Sequence, residues 1–211
     1  RQNADVEVST EVCDVRERNR LAAAFAYHHP NIIFHTAARK DIVPTESDPA
    51  ETVLVNIKGT INVVELTVAN NADMLLFTSS IKAFRPACVM GVTKRIGELI
   101  ISDAAQSTGK TFCTLRLNNV LESSGGVQSL FHQQIKTGGP VTVTHPDVEH
   151  TFSTATETVN LLLEGLLISS PGDVLALQVG RPISVDSLAK DMIEGRGLRV
   201  GEDIEIEYVG L

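Results

Sequence analysis

The side chains able to bind a ligand or move a proton gather in three short segments: His35–Lys40, Thr78–Lys82 and Arg116–Ser124. They hold the hydroxyl of Ser80, the amines of Lys40 and Lys82 and the amide of Asn119. Each segment stands at the end of a short apolar run. Ligands of an open parallel sheet sit at the carboxyl ends of its strands, so this placement points to a binding site. Lys94 stands four residues after Met90, which puts the two on one face of a helix. A plainer reading of the first segment is open too, since alanines pack tightly and a loop lysine such as Lys40 is ordinarily just solvated.

The elements that must position these residues alternate between strand-like and helix-like patterns. Such alternation predicts an α/β fold with helices packed on a parallel sheet. Strands are expected at Val6–Val8, Asn31–His35, Met74–Thr78 and Thr111–Leu117, the second and third being fully buried. Asp14 is a candidate N-cap for a helix over Arg16–Tyr27, with Leu21, Ala24 and Phe25 on its inner side and Pro30 beyond its end. A turn through Pro44, Ser47 and Pro49 precedes a long helix from about Ala50 to Ala69. Another helix covers Met90–Ala105, with Ile96, Leu99 and Ile100 toward the core. Beyond Leu117 the elements shorten: a helix at Val127–Lys136, the turn Gly138-Gly139-Pro140, a strand at Val141–Thr144, helices near Glu157–Leu167 and Val185–Ile193, and a strand near Val174–Val179. The expected division is a partial dinucleotide-binding domain over 1–117 and a smaller substrate-binding lobe over 118–211, interwoven with the sheet and closing over a ligand.

Composition narrows the function. The chain has 211 residues, 43% hydrophobic and 21% charged, with a net charge of −8. That balance suits a globular protein and argues against nucleic acid or an anionic membrane as partner, since both need a basic face. Cys13, Cys88 and Cys113 lack metal-ligand spacing and read as small core residues in a reducing, cytoplasmic setting. No apolar run is expected to approach the roughly 18–20 residues that span a bilayer, so a membrane anchor would lie outside this segment.

Thr78-Ser79-Ser80-Ile81-Lys82-Ala83-Phe84-Arg85-Pro86, followed by Met90-Gly91-Val92-Thr93-Lys94-Arg95, resembles the active-site strand and helix of the extended short-chain dehydrogenases. The specific likeness is to the sugar-nucleotide 4,6-dehydratases of bacterial polysaccharide synthesis, in the branch with methionine where the superfamily has tyrosine. His35-Thr36-Ala37-Ala38-Arg39-Lys40 is similar to that family's His-Ala-Ala-Ala-x-Lys. Asn56-Ile57-Lys58-Gly59-Thr60-Ile61-Asn62-Val63 resembles Asn-Val-x-Gly-Thr-x-Asn-Val. Gly59 and Thr60 inside a helix cost propensity and signal close packing or a functional constraint. Arg116-Leu117-Asn118-Asn119-Val120-Leu121 resembles Arg-Phe-Gly-Asn-Val-Leu, and the run from Gly138 to Asp147 is nearly identical to the family's.

The resemblance implies a Rossmann-like doubly wound sheet lacking its first β-α unit and Gly-rich turn. It implies NAD or NADP as cofactor and a nucleotide sugar, a UDP-N-acetylhexosamine, as substrate. Asp14, Val15, Ala37, Ala38, Asn56 and Lys94 would face the cofactor, and Lys40, Asn119 and His150 the substrate. Ser80, Lys82 and Lys94 would be catalytic: Ser80 bonding the C4 oxygen, Lys82 removing the C5 proton, Lys94 holding the nicotinamide ribose. Three departures matter. Ile81 replaces an aspartate whose general-acid help is typically worth about 10²–10⁴-fold. Asn118 replaces a glycine. His150 replaces an arginine expected near the nucleotide phosphates, and is cationic only when protonated. Three activities stay open on these residues: dehydration, epimerisation without water loss, and sugar-nucleotide binding by a subunit that has lost catalysis. These 211 residues by themselves are expected to bind cofactor weakly and to show no turnover. Homo-oligomers are common in the family.

Overall fold

The computed structural model describes residues 6–121, 123, 125–177 and 180–210. Of the expected features, Ser124 and the end of the strand near Val174–Val179 lie outside them. The chain divides into two compact units. One gathers the described residues of Arg1–Thr78, Lys82–Thr114 and Ser169–Asp173, the other those of Ser79–Ile81, Leu115–Ile168 and Val174–Leu211.

In the first unit, Val6 and Val8 are exposed and form no strand, contrary to expectation. Helix α1 (Arg18–His28) buries Phe25, with Leu21 and Ala24 half-buried beside it. It begins two residues later than predicted, because Asp14 does not cap it; Glu17 is its N-cap and makes no side-chain cap bond. Strand β1 (Ile32–His35) pairs in parallel with β2 (Met74–Ser80), Ile32 opposite Met74 and His35 opposite Phe77. Among the described residues the sheet runs β1, β2, then the strands over Thr111–Leu117 and Val174–Ala176, with β1 at one end. Ile32 and Phe34 are exposed in these 211 residues, where full burial was expected.

Between β1 and β2, the predicted turn is helical: α2 (Ile42–Ser47) and α3 (Pro49–Val53). Pro44 and Pro49 do not break them, since both stand in a first turn, where no amide proton is needed. Asp48 caps α3 by accepting from the Glu51 amide at 3.0 Å. A π turn over Leu54–Lys58 leads into α4 (Gly59–Ala69). The stretch Pro49–Ala69, with mean hydropathy 1.2, is long and apolar enough to cross a bilayer, which the sequence reading had not anticipated; half of it is buried within the protein.

After β2 comes a short 3-10 turn (Ile81–Ala83), then α5 (Val89–Thr108), closed by Gly109 at φ 68°, and β3 (Thr111–Leu117). The buried side of α5 carries Met90, Gly91, Thr93, Lys94, Gly97, Glu98, Ile101 and Ala105, while Leu99 is exposed and Ile96 and Ile100 are half-buried. The core side is thus rotated from the one expected. Glycines set it: a Cβ on Gly97 would lie 2.6 Å from Phe77 Cζ, and one on Gly91 2.8 Å from the Lys82 carbonyl oxygen. Val63, Val64, Leu75, Phe77, Ile101, Ala105 and Phe112 form this unit's core.

The second unit holds β4 (Asn119–Val120), α6 (Val127–Lys136), β5 (Val141–Val143), β6 (Glu149–His150), β7 (Phe152–Ser153), α7 (Ala155–Ile168), β8 (Val174–Ala176), β9 (Ile183–Ser184), α8 (Val185–Glu194) and β10 (Ile206–Tyr208). β8 adjoins the end of β3, where Leu177 N donates to Arg116 O at 3.3 Å. β4 runs parallel to β7, β5 parallel to β10 and β6 antiparallel to β9. Its core is built around Phe131, Ile135, Val141, Val143, Val185, Ala189, Ile193 and Ile204.

Candidate functional site

In the first unit, Lys94 reaches from α5 to the end of β2. Its Nζ donates to the Thr78 carbonyl oxygen at 2.7 Å and lies 4.7 Å from the centre of the Phe77 ring. Burial leaves it 5% exposed and lowers its pKa from 10.5 to about 8, because desolvation penalises the ammonium. His35, at the end of β1, is buried as well. Its Nε2 is 2.9 Å from Thr60 Oγ1, and burial together with the nearby Lys94 charge lowers its pKa to about 4. It is therefore neutral at pH 7.

Asn56 ties the loop after β1 to α5. Its Oδ1 accepts from the Arg39 amide at 2.7 Å, and its Nδ2 donates to Arg39 O and to Thr93 Oγ1, each at 2.9 Å. Thr93 passes its own proton to Met90 O at 2.9 Å. The amide nitrogen of Asn56 has thus given both protons to the protein, so the residue braces the segment carrying Ala37, Ala38 and Lys40. Ala37 and Lys40 are exposed and Ala38 is half-buried. Lys40 lies 3.7 Å from an Asp41 carboxylate oxygen. The π turn that carries Asn56 aims its side chain; such turns cluster at functional places, and nothing in the sequence period announces one.

Asp14 and Val15 sit beside α4. The Asp14 carboxylate accepts from Arg16 N and Nε at 2.9 Å and from Nη2 at 2.6 Å, and the guanidinium hydrogen bonds lower its pKa to about 2. Arg16 also pairs with Glu51. Asn62 Nδ2 donates to Val15 O at 2.9 Å. A Cβ on Gly59 would lie 2.5 Å from Val15 Cγ2, so the helix needs glycine there for Val15 to approach. The sequence signal at Gly59 and Thr60 is accounted for by Val15 and His35.

Lys82 is half-buried on the 3-10 turn. Two side chains fix the start of α5: Cys88 Sγ accepts from Gly91 N at 3.4 Å, and Glu46 Oε1 accepts from Val89 N at 2.6 Å.

In the second unit, Ser80 is half-buried at the end of β2, and Ile81 is 40% exposed. Asn119 lines a cavity of about 50 Å³ with Val120, Leu121, Ser123, Gly126, Val127, Gln128 and Phe152. Its Nδ2 is buried and has no hydrogen-bond partner among the described residues. Phe152 is opposite Asn119 in the β4–β7 pair and meets the exposed His150 ring edge-on, centroids 6.2 Å apart. Asn118 Nδ2 donates to Thr151 Oγ1 at 2.7 Å, so the residue standing in place of a glycine holds the link between His150 and Phe152. Phe152 was also missed, since β7 is too short to show a period. Among the described residues, no group of three His, Cys, Asp or Glu is placed to hold a metal ion.

Comparison with known proteins agrees with this architecture. The capsular polysaccharide biosynthesis protein CapD of Staphylococcus aureus is 37% identical over 207 residues, covering 98% of this chain and 34% of CapD. The crystal structure of Pen from Bacillus thuringiensis superposes with a TM-score of 0.88 at 32% identity, covering 99% of this chain and 64% of Pen. DesIV, a dTDP-glucose 4,6-dehydratase from Streptomyces venezuelae solved with NAD and TYD bound, gives a TM-score of 0.87 at 13% identity, covering 98% and 69%, and so shares the fold. The chain spans about a third of the length of CapD and of the EpsC protein of Bacillus subtilis, and about half or more of other curated relatives it matches. All of residues 1–211 match one family, described as polysaccharide biosynthesis protein. The chain belongs to that family.

Proposed function

We propose that the protein is an NAD(P)-dependent nucleotide-sugar 4,6-dehydratase of bacterial polysaccharide synthesis, acting in the cytoplasm on a UDP-N-acetylhexosamine. The observation that carries this reading is Lys94. Its ammonium is buried, yet it has one oxygen acceptor among the described residues, leaving N–H groups to give to a ligand's hydroxyls. That fits a nicotinamide ribose. Asp14 and Val15 would hold the adenine end, and Ala37 and Ala38 let the cofactor come close to the backbone. Asn56 would act by bracing that segment. When bound, the nicotinamide supplies the hydride exchange that makes the C4 ketone transient.

The remaining steps fall to this chain's own groups. Ser80 would hydrogen-bond the C4 oxygen, and Lys82 would take the C5 proton, which the ketone acidifies. Lys40, Asn119 and His150 would hold the nucleotide sugar. Ile81 has no proton to give, so departure of the C6 hydroxyl as water must draw on another acid. That one residue favours a second reading, an epimerase, which needs oxidation at a sugar carbon but no water loss.

The test uses the protein in the longest form its gene encodes, incubated with UDP-N-acetylglucosamine and NAD⁺ or NADP⁺. Mass spectrometry follows the sugar nucleotide, with Ile81→Asp beside it. Loss of one water from the unaltered protein supports dehydration. A new isomer of unchanged mass supports epimerisation. Turnover confined to Ile81→Asp, or none in either, would sink the enzymatic reading of the natural sequence.

A further inference from the structure

The buried ammonium of Lys94 has an aromatic ring beside it where a buried cation ordinarily has a carboxylate. Nζ donates to Thr78 O at 2.7 Å, and among the described residues no carboxylate pairs with it. It lies instead over the ring of Phe77, 4.7 Å from the centre, and Phe77 is 1% exposed. The face of an aromatic ring is negative, and its attraction for a cation grows where water is excluded. Two features fix the ring there. Phe77 stands opposite His35 in the β1–β2 register, so the two rings share one face of the sheet, 5.5 Å apart. Gly97, three residues after Lys94 on the buried side of α5, leaves the notch that the ring fills. A Cβ there would lie 2.6 Å from Phe77 Cζ and 2.8 Å from Cε1.

We infer that Phe77 is a positioning residue for Lys94, its ring face holding that side chain as a cation at the end of β2. The inference stands on this geometry and needs no ligand; only its consequence for cofactor binding rests on the nicotinamide reading above. Burial drives the amine toward its neutral form, to a pKa of about 8, and the ring works against that loss. The other titratable groups of this unit do not replace the ring. His35 on β1 is neutral above about pH 4, and its charged form would repel the ammonium. Glu98, one turn further along α5, is held by Arg95 at 2.8 Å. On the loop after β1, Arg39 and Lys40 each lie 3.7 Å from an aspartate, Asp48 and Asp41 respectively. Lys82 on the 3-10 turn is itself a cation, and the buried residues of the π turn and α4 are uncharged.

The experiment is competitive acetylation across the neutral and alkaline range, read by mass spectrometry of the peptide carrying Lys94, in the longest natural form of the protein. The unaltered amine should titrate at about pH 8. Phe77→Leu keeps an apolar side chain but no ring, and should bring Lys94 down by about one pH unit. A phenylalanine at 77 fluorinated on its two Cδ atoms, away from Gly97, keeps the packing while drawing electron density off the ring face. It should move Lys94 the same way by a smaller amount. A Lys94 titration unmoved by fluorine overturns the inference, whatever Phe77→Leu does, because a ring that only fills space is indifferent to its electron density. Calorimetry with NAD⁺ or NADP⁺ separates this from the nicotinamide reading. If binding needs the charged amine, Phe77→Leu should match the unaltered protein at pH 6 and bind about 5-fold more weakly at pH 8. Absence of binding by every form removes the nicotinamide reading, while the titration alone decides the role of Phe77.

Discussion

The hydroxyl of Thr60 fixes the tautomer of His35. Thr60 Oγ1 lies 2.7 Å from the carbonyl oxygen of Asn56, to which it gives its only proton, so at 2.9 Å from His35 Nε2 it can only accept. The imidazole therefore carries its proton on Nε2. Nitrogen-detected NMR at pH 7 should show that tautomer, and Thr60→Val should abolish the preference.

The same histidine makes stability fall in acid. Its pKa is about 4 folded against 6.5 unfolded, so between those values the unfolded chain binds more protons. Stability from this group is complete above pH 6.5 and drains away as pH falls toward 4, at up to about 1.4 kcal/mol per pH unit. Urea unfolding at pH 7, 6 and 5 should show the slope, and His35→Gln should flatten it.

Lys94 acts at the alkaline end. With a folded pKa of about 8 against 10.5, it too leaves the unfolded chain holding more protons in between, so stability should rise from pH 8 to pH 10.5. The cost of burying the ammonium is present below pH 8 and relieved above it. Lys94→Met should remove that rise in urea unfolding and, on the proposed function, abolish NAD(P) binding at any pH.

Gly59→Ala should destabilise by about 1–3 kcal/mol, because the added methyl falls within 2.5 Å of Val15 Cγ2. Adding Val15→Ala should recover much of the loss. Denaturant melts of the four proteins in that cycle measure the coupling, and strict additivity would contradict the contact.

Asn56→Leu removes three hydrogen bonds at once and strands the Arg39 amide and carbonyl. Each group left unsatisfied costs about 1–3 kcal/mol. The sharper readout is local: the Arg39 amide should exchange with solvent much faster, while the amides of β2 keep their protection.

Much of this was legible because particular residues announce it. Helix α6 has the expected bounds, set between Gly126 and the Gly138-Gly139 turn, whose φ values of 93° and 82° suit glycine alone. The alternation of strands and helices gave the α/β class. What eluded the sequence were relations between distant residues. Leu99 looks like core and is not, because α5 turns its glycines, Lys94 and Glu98 inward instead. Asp14 looks like a helix cap, but Arg16 engages both its oxygens. For the candidate site, the motifs mark Lys94, Asn56 and Asn119, but not that Asn56 is spent on bracing or that the Asn119 amide nitrogen has no partner among the described residues. Those are facts of hydrogen-bond saturation, and no spacing encodes them.

The short return of Ser169–Asp173 to the first unit ties that unit's completion to the order of synthesis. Gly172 N donates to Phe112 O and Thr114 N to Asp173 O, both at 2.9 Å, so β3 lacks these bonds until a stretch more than fifty residues downstream has left the ribosome. A nascent chain paused soon after β3 would expose part of that strand's edge, the kind of template that recruits foreign strands. Translation speed through the second unit thus becomes a determinant of how cleanly the first one folds.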